Sequence, residues 1–128
     1  MSRRILLTAA LLGAVAVMFG AFGAHGLKRV VDEGSLEIWA KGVEYQFYHV
    51  FALLFLSQFK TEQTRLVNLA YWFFTLGILF FSGSLYLLAT RSVLNFAFVS
   101  YIGPVTPVGG LLFILGWLSL FLAAVKGR

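Results

Sequence analysis

The sequence predicts an all-α, polytopic membrane protein: four transmembrane helices in a compact bundle, forming one membrane domain over residues 1–128. Three observations carry this expectation. Of the 128 residues, 60% are hydrophobic and only 12% charged, where a soluble domain has about 45–50% and about 25%. Mean hydropathy is +0.89. The apolar residues also gather into blocks of about twenty, the length that crosses a hydrocarbon core about 30 Å thick. So short a chain exposes too much of its surface for a buried core to absorb this composition. There is no cysteine, which excludes thiolate chemistry, Cys-ligated clusters and a disulfide scaffold.

The first span, about 5–27, runs from Ile5 to Leu27 without a formal charge. Arg3 and Arg4 before it, and Ala21-Phe22-Gly23 within it, would suit a signal peptide. Signal-peptide cores are about 7–15 residues, however, so the segment is read as a retained helix. The third and fourth spans, about 66–89 and 105–125, are equally free of charge. The second, about 39–59, carries Lys41, Glu44, Gln46 and His49 ahead of the apolar run Val50–Leu56. Between the last two spans the link at about 90–104 is too apolar for a free loop and too short to span. An interfacial or shallow re-entrant path is expected there, closed by Gly103-Pro104.

Net charge is +5, yet no basic run resembles a nucleic-acid stripe, and the partner expected is the lipid bilayer. Six basic residues (Arg3, Arg4, Lys60, Arg65, Lys126, Arg128) would lie on one side and four (Lys28, Arg29, Lys41, Arg91) on the other. That bias predicts both termini in the cytoplasm of a cell whose plasma (inner) membrane holds the chain. Trp39, Trp72 and Trp117 lie toward span ends, where interfacial anchors are expected.

Helices in lipid associate through close packing and hydrogen bonds. The first span places Ala9, Gly13, Ala16, Gly20 and Gly23 on one stripe, at spacings of 4, 3, 4 and 3. Gly77 and Ser84 in the third span, and Gly109, Gly116 and Ala123 in the fourth, repeat the device seven apart. Packing inside the bundle is the commoner use of such stripes. A homo-oligomer seam or a membrane-protein partner is the alternative.

Ionisable groups inside spans usually face the bundle interior or a wet cavity. Glu37, Lys41, Glu44, Tyr45, Tyr48 and His49 share one side of the second helix, and both carboxylates stand at ion-pair spacing from Lys41. Glu37 to Glu44 are placed in the outer interfacial third, and His49 about 15 Å inward from Trp39, near mid-membrane. Buried polar glue is the commoner role for such a histidine, and a proton relay, ion relay or ligand site is the sharper one. His25, at the outer end of the first helix, would lie roughly 10 Å shallower than His49, so the two cannot ligate one haem. A structural zinc site wants four ligands, and no such set appears. No metal or cofactor is expected. No phosphate loop, nucleophile elbow or His-Glu-x-x-His motif occurs, so no catalytic residue is assigned. Asp32 and Glu33 solvate the outer link, with Asp32 and Ser35 capping the second helix.

Three segments, Gly20-Ala21-Phe22-Gly23-Ala24-His25-Gly26-Leu27-Lys28, Tyr45-Gln46-Phe47-Tyr48-His49 and Phe81-Ser82-Gly83-Ser84-Leu85-Tyr86, together form a pattern. The tail Gly103-Pro104-Val105-Thr106-Pro107-Val108-Gly109-Gly110 with Gly116-Trp117 completes it. The chain resembles domain-of-unknown-function family 423, small bacterial inner-membrane proteins related to the eukaryotic transmembrane protein 256. The resemblance covers nearly the whole chain and implies four spans without an assigned activity. The apolar stretch Thr90–Tyr101 is longer than the link usual in that family.

The candidate polar cluster is His25, Glu37, Lys41, Glu44, Tyr45, Tyr48, His49, Ser82, Ser84 and Thr106, expected in the outer half of the bundle. The candidate packing residues are Gly13, Gly20, Gly23, Gly77, Gly109 and Gly116. The reading is a non-enzymatic membrane protein whose polar cluster braces the bundle or receives a partner or lipid. The alternative is a small transporter or channel component that moves a proton, cation or small solute through His49 and Glu44.

Overall fold

Ser2 opens the first helix, α1 (Arg3–Ala24), its hydroxyl accepting from the Ile5 backbone N–H at 3.4 Å. The computed structural model describes residues 2–60, 64–94 and 99–127. A 3-10 turn at Leu27–Arg29 leads to Asp32, which caps α2 (Glu33–Gln58) by accepting from the Ser35 N–H at 2.8 Å. Helix α3 (Thr64–Ala89) is continuous but loosens into a π turn over Ile78–Ser82. Helix α4 (Val105–Lys126) begins directly after Pro104. Pro107 sits in its first turn, where the missing N–H has no intrahelical acceptor to lose.

Pairings along the helices define an antiparallel bundle. The Ser2 N–H donates to the Ser57 carbonyl at 2.8 Å, while Trp39 reaches back to Phe19, so α1 and α2 run in opposite senses. Tyr45 meets Phe81 and His49 meets Phe74, which reverses α3 against α2. Phe81 meets Gly109 and Phe74 meets Gly116, which reverses α4 against α3. Helix α2 therefore packs on both α1 and α3. The main core lies where α1, α2 and α3 meet, around Ala9, Leu53, Ala70 and Phe74, with Phe113 added from α4. A smaller cluster of Leu27, Trp39 and Ala89 closes the far end. Outside, large apolar side chains such as Leu11, Met18, Phe55, Leu79, Leu111 and Phe121 stand exposed on all four helices. A water-soluble fold does not expose so much apolar surface.

Among the described residues three helices are long and apolar enough to cross a membrane: Arg3–Arg29 with its 3-10 turn, Thr64–Ala89 and Val105–Lys126. The sequence expectation was four. Helix α2 is as long as any, at 26 residues, but its charged and amide side chains dilute its apolar stretch. The link after α3 flanks its centre with single helical turns at Arg91–Leu94 and Val99–Ile102. Residues 95–98 lie outside the described residues, and with them the expected interfacial or re-entrant path.

Two of the three tryptophans depart from their expected role as interfacial anchors. Trp39 is buried, and its indole N–H donates to the Phe19 carbonyl at 2.8 Å. Trp117 lies halfway along α4 and turns its N–H inward to His49 at 3.1 Å. An indole N–H in an apolar layer needs an acceptor, and both residues find theirs inside the bundle. Trp72 does stand exposed, with the Arg4 guanidinium 6.0 Å from its ring centre.

Candidate functional site

Helix α2 turns one face to the other helices, and its members are spaced 4, 3, 4, 3, 4 and 3 apart: Ser35, Trp39, Gly42, Gln46, His49, Leu53 and Leu56 are all buried. That is the heptad-like stripe of a helix packed along its length. Gln46 sits at its centre, only 2% exposed. Its amide nitrogen donates to the Leu12 carbonyl of α1 at 2.7 Å, and its amide oxygen accepts from the Tyr86 hydroxyl of α3 at 2.5 Å. One turn earlier, the Ser82 hydroxyl donates to the Gly42 carbonyl at 2.6 Å. This bond leaves from the last residue of the π turn.

One turn after Gln46, His49 is 4% exposed. Its Nδ1 lies 2.7 Å from the Tyr45 carbonyl, and the Trp117 indole N–H points at its Nε2. An indole can only donate and a carbonyl can only accept. The ring is therefore the neutral tautomer with its proton on Nδ1. It lies parallel to Phe113, with centroids 3.5 Å apart and planes 5° apart. A further bond joins Ser84 to Thr106 at 2.6 Å, tying α3 to α4. Helix α2 is thus hydrogen-bonded through side chains to α1, α3 and α4.

The candidate polar cluster does not converge on one place. Glu37, Lys41 and Tyr48 are exposed, and Glu44 is 43% exposed at its side chain. Lys41 pairs with Glu44 at 3.6 Å, and the Tyr48 hydroxyl donates to the same carboxylate. These residues form a ridge on the outward side of α2, opposite the packed stripe. Tyr45 is half-buried between Tyr48 and Phe81. His25 is exposed, with its Nδ1 2.9 Å from the Ala21 carbonyl of its own helix. Of the cluster, His49, Ser82, Ser84 and Thr106 take part in inter-helix side-chain bonds among the described residues. Among the described residues no three His, Cys, Asp or Glu side chains are grouped to hold a metal ion.

The candidate packing glycines face neighbouring helices, with unequal clearance. A methyl group on Gly109 would strike the Phe81 backbone, with its Cα 2.7 Å away. On Gly77 it would strike the Phe113 ring, on Gly116 the Phe74 ring and on Gly23 the Trp39 ring. Gly13 and Gly20 are looser, meeting Val50 at 3.4 Å and Val43 at 3.6 Å. Gly42 was not among the candidates, yet a methyl there would lie 2.8 Å from the Tyr86 ring. Gln46, Tyr86, Trp39 and Trp117 were missed as well. The 4-3-4-3 spacing through Ser35, Trp39, Gly42, Gln46 and His49 was the signal that could have found three of them.

The model of the family described as "Protein of unknown function (DUF423)" matches residues 19–110. A UPF0382 membrane protein of Staphylococcus aureus is 40% identical over 121 residues, covering 94% of each chain. The UPF0382 membrane protein YwdK of Bacillus subtilis is 40% identical, covering 91% of this chain and 94% of its own. One from Haemophilus influenzae is 36% identical over 128 residues, covering 100% of this chain and 98% of its own. No solved structure matches. With its apolar helices and relatives of nearly equal length, this chain belongs to the DUF423 family of membrane proteins.

Proposed function

We propose that the chain is a non-enzymatic, four-span protein of the inner membrane, with both termini in the cytoplasm, whose second helix acts as a polar strut. Helix α2 measures about 39 Å at 1.5 Å per residue. Packed antiparallel against α1 and α3, it shares the layer that these two candidate spans would occupy. Its polar groups are tolerable there because those facing inward are hydrogen-bonded across the seams.

The observation that carries this reading is the Trp117 N–H aimed at His49 Nε2. A relay histidine must present a lone pair to the incoming proton. Here that lone pair is occupied by a donor, and protonation would set two N–H groups against each other. The transporter alternative therefore requires the Trp117 contact to break first. In detergent, His49→Gln should melt closer to wild type than His49→Leu, since glutamine retains a donor and an acceptor. Equal melting of all three forms would remove the strut role. Pumped or passive proton flux in wild-type proteoliposomes, abolished in His49→Gln, would restore the relay.

A further inference from the structure

The ridge of Lys41, Glu44 and Tyr48 faces away from the bundle, yet its depth is that of the bundle's middle. Glu44 lies within two residues of the midpoint of Glu33–Gln58. Nearby, Gln46 bonds to Leu12 at the middle of α1, and Tyr45 packs on Phe81 of α3. By these pairings Glu44 falls within roughly 5–8 Å of the level where the spans are centred, well inside a half-thickness of about 15 Å. On the four-span reading this is deeper than the outer interfacial third expected for it. Ionisable side chains at that depth almost always face protein or a wet cavity. This pair faces outward, with Lys41 and Glu44 side chains 58% and 43% exposed.

We infer that the outward face of α2 is the contact surface between two copies of this chain. This inference rests on the four-span reading above. At mid-depth the ridge holds one base, one acid and a hydroxyl, with Glu37 a turn nearer the end of the helix, so its deep part is neutral and self-complementary. A two-fold axis along the membrane normal sets each Lys41 near the other copy's Glu44. A partner carrying charge of one sign would leave one member of the pair unmatched. Beside the ridge, α1 and α2 form a groove of about 490 Å³ whose floor includes Gly20, Gly23, Ala24 and Ala40. Small residues of this kind admit a neighbouring helix closely. The Gly20 methyl position meets only Val43, at 3.6 Å, so the floor is open to an incoming side chain.

The chain has no cysteine, so single-cysteine variants report one position each. In native membranes, oxidation of Ala40→Cys should give a cross-linked species of twice the chain's mass, and Leu118→Cys on the exposed side of α4 should not. Equal cross-linking of the two, or none, overturns the inference. So does an Ala40→Cys adduct to a different protein.

Charge reversal gives the second arm. Lys41→Glu makes the deep part of the ridge wholly acidic and Glu44→Lys makes it wholly basic. Each variant expressed alone should lose most of its dimer. Co-expressed with distinct tags, the two should pair with each other at least tenfold more than either pairs with itself. Random mixing overturns a Lys41–Glu44 contact between copies. A membrane-impermeant maleimide separates the underlying reading: rapid labelling of Phe47→Cys in intact vesicles means α2 lies in water, and the four-span reading fails whatever the dimer result.

Discussion

The Tyr86 hydroxyl and the Leu12 carbonyl are joined through one side chain: Gln46 accepts from the first at 2.5 Å and donates to the second at 2.7 Å. A single amide thereby links α1, α2 and α3 near their common middle. Removing it with Gln46→Leu preserves the volume roughly and strands the Tyr86 hydroxyl. Buried hydroxyls without a partner cost about 1–3 kcal/mol, but inter-helix bonds in membrane bundles average nearer 0.6 kcal/mol. The expected loss is about 1 kcal/mol by reversible unfolding in mixed micelles. Gln46→Glu should lose more, because its amide donor is gone and a charge is buried beside a carbonyl. If Gln46→Leu is as stable as wild type, the bridge contributes nothing to the bundle.

Glycine positions should sort by what lies opposite them. At Gly109 an added methyl meets the Phe81 backbone, which cannot rotate aside, so α3 and α4 must separate. Gly109→Ala should cost about 1–3 kcal/mol, toward the upper end of the overpacking range. At Gly20 the same methyl finds Val43 at ordinary contact distance, and Gly20→Ala should be near neutral in the monomer. Thermal melts of the two variants in one detergent test the ranking. A reversed order would mean the seams are not those described.

Much of the fold was legible because apolar blocks of span length leave few choices in 128 residues. The start of α4 follows from Gly103-Pro104, whereas the Ser2 cap that opens α1 ahead of Ile5 gives no such signal among the apolar residues. What misled was the inward direction of α2. Charges inside a span point to a core by the general rule, which singles out the side bearing Glu37, Lys41, Glu44 and Tyr48. The buried stripe instead carries Trp39, Gln46 and His49, and lone amide and indole groups do not announce themselves by charge. The π turn at Ile78–Ser82 was equally invisible. At that turn Ser82 finds the Gly42 carbonyl and Phe81 meets Gly109, contacts far apart in sequence.

The link before α2 should respond to acid. Asp32 accepts from the Ser35 backbone N–H, which, with the Ser35 hydroxyl, holds its carboxyl below the usual carboxylate range. A depressed folded pKa means the cap contributes stability that is fully present above the unfolded value, about 3.9. That contribution is lost as pH falls through the still lower folded value. Melting temperature should therefore fall below about pH 4. Asp32→Asn keeps a capping side chain without the titration, and its melting curve should be flatter over the same window. Parallel curves would assign the acid response to the other carboxylates.

Whether α2 crosses the membrane decides where the two ends of the chain lie. With four spans the N- and C-termini share a side. With only the three most apolar helices spanning, they lie on opposite sides. The bundle gathers Arg3, Arg4, Lys60, Arg65 and Lys126 at the end where α1 and α3 begin and α2 and α4 finish. Lys28, Arg29 and Arg91 lie at the other. The richer end is expected in the cytoplasm by the bias of Lys and Arg near span ends. Reporter fusions after Lys126 and within the link at Ser92 should accordingly give cytoplasmic and external signals. A tag ahead of Ser2 should be shielded from external protease in intact cells. A shielded N-terminal tag together with an external C-terminal reporter would leave α2 on the membrane surface. That outcome would break the antiparallel pairing of Gln46 with Leu12 and of Gly42 with Ser82, since α1 and α3 could not both pack along it within the bilayer.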